Sequence, residues 1–229
     1  MKTTNIILGT LVAMVGQVAM ADSTGGSQSL QLRAQTFGGP ETTYRSYSYK
    51  AANEDGSAFH LKAVQSDRTI GTVTTGGNDF EFGFSSQVGG TGATYSLGFA
   101  FPSTTADSST SFVYGYSRAL TDSINLSFKG YSGATSANAL FLTKTFTIFG
   151  ANDLSVELGG IVSGYSTVDE TTGAPKRNLL VNARLSHQLF DGVDGFIGVT
   201  NTLGDTTRFS LNSSVGNKYA FTFGIGGKF

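Results

Sequence analysis

Apolar and polar side chains alternate along this chain with a period of two, the spacing of a β-strand with two unlike faces. Phe80, Phe82 and Phe84 alternate with Asp79, Glu81, Gly83 and Ser85, and Tyr95, Leu97, Phe99 and Phe101 with Thr94, Ser96, Gly98 and Ala100. The pattern returns at Phe112 to Tyr116, Ile124 to Phe128, Leu140 to Ile148, Leu154 to Leu158 and Leu179 to Leu185. Weaker versions lie near Leu30 to Ala34, Tyr44 to Tyr49 and Phe59 to Ala63. Tight connections rich in turn formers fall at Ala119–Ser123, Phe149–Asp153 and Phe190–Gly195. Longer polar ones fall between them, at Pro102–Thr110, Tyr131–Asn138 and Gly164–Arg177. The glycine pairs Gly38-Gly39, Gly76-Gly77 and Gly89-Gly90 read as turns.

Alternation alone fits a soluble sandwich, greasy face inward, as well as a membrane barrel, greasy face outward. The two ends of the sequence separate them. Lys2, the apolar run Ile6 to Val15 and the small-x-small site Ala19-Met20-Ala21 predict a secretory signal peptide over residues 1–21. Its apolar core is too short for a transmembrane helix, and no later segment approaches the roughly twenty apolar residues such a helix needs. At the other end, Tyr219, Phe221, Phe223 and Ile225 alternate with small or polar residues up to a terminal Phe229.

That closing segment resembles the last strand of Gram-negative outer-membrane β-barrel proteins. The resemblance implies that Tyr219, Phe221, Phe223, Ile225 and Phe229 form the signal read by the barrel-insertion machinery. It implies an all-β, closed antiparallel transmembrane barrel over residues 22–229, with 22–29 a polar lead-in, located in the outer membrane among lipid and lipopolysaccharide. An even strand number is the rule for such barrels, and the segments count to about twelve, with ten and fourteen as the neighbours. Short turns of such barrels are periplasmic and long loops external, so the three tight turns belong at the periplasmic end. Arg208 to Ser214 then belongs to the last external hairpin.

Extending each alternation places His60, Lys62, Glu81, Asn125, Lys129, Glu157, Asn182 and Arg184 on the inner wall. If Ser163 and Asn178 close their hairpin, Glu157 faces Arg184. Most other inner positions are small, among them Gly83, Ser96, Gly98, Gly115, Ser127, Gly159 and Thr222, which leaves room for a water-filled lumen. Val113, Phe141, Ile161 and Leu180 are the candidates for an apolar inner pocket. Tyr95, Phe101, Tyr116, Tyr131, Phe149, Tyr165, Phe190, Tyr219 and Phe229 suit interfacial girdles. Lys144 shares its parity with Leu140, Leu142 and Phe146, which would turn it to lipid; a bulge that shifts the register is expected, with a protein partner covering that face as the alternative.

Composition agrees with this reading. Charged residues make up 14%, against about 25% for soluble domains. There are 18 Phe and 9 Tyr but no Trp or Cys, which removes disulfide and thiolate chemistry. A net charge of −1 gives no footprint for nucleic acid. The two histidines, His60 and His187, lack a serine two positions away, the arrangement a strand would need to aim imidazole and hydroxyl at one point. No clustered histidines suggest a metal, and no cofactor is expected. The expectation is therefore a non-enzymatic, porin-like passive channel for small solutes. A structural or adhesive barrel without conductance and a carrier of hydrophobic molecules are the alternatives.

Overall fold

A computed structural model describes residues 27–37, 42–70, 73–101, 110–133, 136–150, 152–163, 179–201 and 219–228. The expected signal peptide over residues 1–21, Phe229, Tyr165 and the segment 208–214 lie outside them.

The described residues form twelve strands: β1 Ser27–Phe37, β2 Thr42–Ala52, β3 Ala58–Ile70, β4 Val73–Val88, β5 Ala93–Phe101, β6 Ser111–Thr121, β7 Ile124–Ser132, β8 Ala137–Ile148, β9 Asn152–Ser163, β10 Leu179–Phe190, β11 Val193–Thr200 and β12 Ala220–Lys228. Each pairs antiparallel with the next, and β1 pairs with β12, so the sheet closes on itself. Closure leaves no continuous edge of unpaired N–H and C=O groups, the condition for a sheet immersed in hydrocarbon. β1 begins at Ser27, inside the segment expected to be a polar lead-in, because Ser27, Gln28 and Ser29 pair with Ala52, Ala51 and Lys50.

Large apolar side chains point out. Phe84 is 61% exposed, Ile197 61% and Phe221 73%, whereas the intervening Gly83, Gly98, Ser127 and Thr222 are buried. The sheet thus turns its greasy side to the surroundings, the reverse of a soluble sandwich. Rings on facing strands interlock along this outer face. Phe82 lies 5.9 Å from Phe99, Phe99 5.7 Å from Phe112, and Tyr95 5.1 Å from Tyr116. Such cross-strand aromatic pairs lock register as well as adding contact.

The three predicted tight turns stand at one end of the barrel, joined there by the connections after β2 and β4 and by the outer ends of β1 and β12. We call this the turn end and its opposite the loop end. At the turn after β8, which joins the facing residues Ile148 and Asn152, Phe149 (φ 49) and Gly150 (φ 73) both take the left-handed region. Gly76 and Gly77 are not a turn: they belong to β4, opposite Asp67 and Ser66. Strand β4 pairs with β5 only from Phe80 onward, so Val73–Asp79 extends beyond its neighbour while still paired to β3. Length that elsewhere goes into a loop has gone into strand here.

Two further positions differ from expectation. Tyr131 is not in an interfacial girdle but faces inward, 7% exposed, opposite Val113 and Ala137. The alternation Ile124, Leu126, Phe128 puts Gly130 on the outer face, and Tyr131, one residue later, must turn in. Lys144 keeps its outward parity, since the β8–β9 register shift lies at Asn138/Ala139, before the run that contains it. It is tolerated by depth instead. Lys144 sits opposite Ile124, the first residue of β7, and the next residue's N–H, from Thr145, donates to the carbonyl of Ser123 in the turn. The ammonium lies over the Phe146 ring at 4.8 Å, leaning toward the turn end, where a cation can snorkel to water.

Candidate functional site

All eight predicted wall residues fall on the inner face, and the ring order divides them into two groups. His60 and Lys62 on β3 stand with Glu81 on β4, Lys62 directly opposite Glu81 and His60 opposite Gly83. Asn125 and Lys129 on β7, Glu157 on β9, and Asn182 and Arg184 on β10 form the second group. β3 and β9 are six places apart in the ring of twelve, so the groups face each other across the lumen.

In the second group, the predicted facing of Glu157 and Arg184 is not the register found. Glu157 pairs with Asn182, and Arg184 pairs with Ser155 on β9 and Gly198 on β11. The hairpin between β9 and β10 closes two residues away from the symmetric position assumed from its loop. Glu157 instead meets a cation two strands away. Lys129 Nζ lies 3.3 Å from Glu157 Oε2, and the Thr143 hydroxyl donates to the same oxygen at 3.3 Å. With these side chains 36% and 22% exposed, the pair contributes on the order of 1 kcal/mol or less.

Both cations of this wall rest on aromatic rings. Lys129 Nζ is 4.5 Å from the centre of Phe141, and Arg184 Cζ is 3.8 Å from that of Phe196. Each ring in turn lies across a glycine of the adjacent strand. A Cβ on Gly159 would run into Phe141, and one on Gly224 into Phe196. A glycine therefore admits the ring, and the ring fixes the height of the charge above the wall. Phe196 lies outside the expected wall residues, because the turn formers up to Gly195 hide the start of its strand in the sequence. The alternation of Ile197 and Val199, both outward, with Phe196, Gly198 and Thr200 was the available signal.

Toward the loop end the inner wall changes character. Val113, Phe141, Ile161 and Leu180 come together with Ala100, Tyr131, Ala137 and Ala139 in a single buried cluster. All are 9% exposed or less, so the four candidates for an apolar inner pocket sit in a packed apolar part of the wall, unlike the small residues that line the rest. Glu81, opposite Ala100, is buried at its margin at 5% exposure.

His60 lies on the inner face, whereas His187 is exposed on the outer one, opposite Gly195. Ser186 points away from His187, with its hydroxyl on the Asp153 carbonyl at 3.3 Å. Among the described residues no group of three His, Cys, Asp or Glu is placed to hold a metal.

No protein-family model matches the chain, and no curated protein matches it in sequence. Solved structures do match in fold. The KdgM porin superposes with a TM-score of 0.57 at 14% identity, covering 88% of this chain and 99% of that one. The NanC porin gives 0.56 at 10% identity, covering 87% and 100%. KdgM in complex with disordered oligogalacturonate gives 0.54 at 11%, covering 89% and 99%. The chain is thus a twelve-stranded closed antiparallel barrel of the fold seen in outer-membrane porins.

Proposed function

We propose that the chain is a passive pore for small solutes in a Gram-negative outer membrane. The observation that carries this reading is the pair of charged walls facing each other inside a closed ring: Lys62 with Glu81 on one side, Lys129 with Glu157 and Arg184 on the other. A narrow barrel with no transport role gains nothing from charges in its interior, where desolvation works against them. Around water, the same charges set selectivity. Both signs are present on both walls, so the reading carries no strong ion preference. The likeness in fold to the KdgM and NanC porins supports a porin-type role, and one of the KdgM structures is a complex with disordered oligogalacturonate. Steady single-channel steps from purified protein in planar bilayers are the expected result. Silence at every voltage would count against the pore.

One observation favours a second reading. The apolar cluster of Val113, Phe141, Ile161 and Leu180 is the inner surface a carrier of hydrophobic molecules would use. Under that reading the bilayer stays silent while a hydrophobic fluorophore such as N-phenylnaphthylamine binds the protein, and Leu180→Asn abolishes the binding.

A further inference from the structure

Outside the lumen, one stretch of the outer face is hollowed. A register row crosses it from β2 to β10: Arg45 faces Ala34, Ala34 faces Phe223, Phe223 faces Ile197, and Ile197 faces Leu185. In the next row Gly195 contributes no side chain, and a Cβ there would meet Leu189 at 3.0 Å, so Leu189 forms one bank. The small residues Ala34 and Gly195 form the floor of a groove of about 680 Å³, with Leu32, Ile197, Phe223 and Ile225 around it. Four interstrand spacings make the row about 19 Å long, comparable with the roughly 15 Å hydrocarbon depth of one leaflet.

The groove is polar at one end. Arg45 lies near the loop end of β2, on the outer parity and exposed. Its partner on β3, Gln65, faces Asn78, two residues beyond Phe80↔Phe101, the last pair between β4 and β5. Within its own strand Arg45 is three residues from the loop end, toward the loop-side margin of the outer face. From there the row descends toward the turn end, because β10 runs from Leu179 at the loop end to Phe190 at the turn end, with Leu185 midway.

We propose that this groove seats one acyl chain of a membrane lipid whose anionic phosphate headgroup is held at Arg45. An apolar trough closed by a cation at the interface complements that chemistry: the chain lies against Ile197 and Phe223, and the phosphate accepts hydrogen bonds from the guanidinium. A second copy of the protein would need an apolar or acidic surface opposite Arg45, whereas a phosphate lipid of the external leaflet supplies both parts at the right depths. The inference rests on the reading that this face meets lipid.

The test uses full-length protein inserted into phosphatidylcholine vesicles, extracted, and analysed by native mass spectrometry after equilibration with dimyristoyl phosphatidylglycerol or dimyristoyl phosphatidylcholine. The protein should retain the anionic lipid preferentially. Arg45→Gln should weaken that retention about tenfold, and that of the zwitterionic lipid, whose phosphate is offset by its own ammonium, by less. Ala34→Trp, which fills the floor beneath Arg45, should abolish both. Equal retention of the two lipids, or retention unaltered by Ala34→Trp, overturns the site. So does a dimer that Ala34→Trp dissociates, since a second copy would then be the occupant. If Ala34→Trp does not fold, Arg45→Gln decides alone. Failure of the unaltered chain to insert would overturn the membrane reading as well, whereas insertion without selective retention removes this site only.

Discussion

Lys129 and Glu157 meet across a strand that belongs to neither. Lys129 rises from β7 and Glu157 from β9, and the 3.3 Å contact between Nζ and Oε2 passes over Phe141 on β8. The pair therefore spans a width of wall that adjacent-strand pairing could not, and each charge masks the other from a passing ion. Glu157→Gln should leave Lys129 uncompensated and move the reversal potential in asymmetric KCl toward anion preference. Lys129→Gln should move it the other way, and the double variant should return close to the starting value. Stability should change by about 1 kcal/mol or less in each single variant, because the pair is partly solvated. Equal shifts in the same direction from both single variants would show that the two side chains do not share one electrostatic unit.

Gly159 sets the height of that unit. Its missing side chain lets the Phe141 ring lie across β9, and Lys129 lies on the ring. Gly159→Ala should force the ring off the wall and cost about 1–3 kcal/mol, the range for overpacking a filled site. Adding Phe141→Leu should recover part of the loss, since the flat ring that collides with the new methyl is gone. Urea unfolding in vesicles reads both variants. Additive losses in the double variant would mean that the glycine serves the backbone, whose nearest atom, the Leu140 carbonyl oxygen, is 3.0 Å from the added Cβ.

Where the alternation ran unbroken, the sequence revealed the faces of the wall. Every one of Phe80 to Phe84, Tyr95 to Phe101 and Phe221 to Ile225 followed its parity, because one-residue slips exchange the lipid and lumen faces and are strongly selected against. Pairing between strands was less legible. A symmetric hairpin sets Glu157 against Arg184, but residues 164–178 separate the two strands, and nothing local to either strand fixes how such a connection divides its residues. For Tyr131, nearness to a strand end points to a girdle, but its parity, shared with Lys129, turns it inward. The cation-on-ring stacks were beyond reach for another reason. They join β7 to β8 and β10 to β11 through glycines on β9 and β12, a relation that exists only once the neighbours around the ring are known.

At the turn end, the Asn53–Ser57 turn carries its own acid. The Ser57 N–H donates to Asp55 Oδ1 at 2.8 Å, and Asn53 Nδ2 donates to the Ser57 hydroxyl oxygen at 2.9 Å. The hydrogen bonds from the Ser57 side chain and backbone hold the Asp55 carboxyl below the ordinary carboxylate range. A depressed acid stabilises the folded turn above its ordinary value, and that contribution fades as pH falls through the depressed one. Protection of the Ser57 amide, taken relative to its intrinsic exchange rate at each pH, should therefore hold at neutral pH and be lost only in acid. Ser57→Ala removes the largest cause of the shift and should move the Asp55 carboxyl titration upward, toward that of an unperturbed aspartate. An unmoved titration in Ser57→Ala would assign the shift to the backbone donor alone.

Which surface of the cylinder touches hydrocarbon can be measured at two residues that are both exposed. Leu97, midway along β5 and 56% exposed, lies opposite Phe84 and Tyr114 on the outer face. Phe149 is 91% exposed but stands in the turn after β8. In water, a lysine at either position would be harmless, since both side chains are already on the surface. In a bilayer, Leu97→Lys puts an ammonium near the midplane and should cost about 2–4 kcal/mol. Phe149→Lys, at the interface, should cost about 0–1 kcal/mol. Urea titration of the two variants in phosphatidylcholine vesicles separates the cases. Equal stabilities would mean that the phenylalanine-rich side of the sheet does not face lipid, and the lumen assignments of Lys62, Glu81, Glu157 and Arg184 would lose their basis.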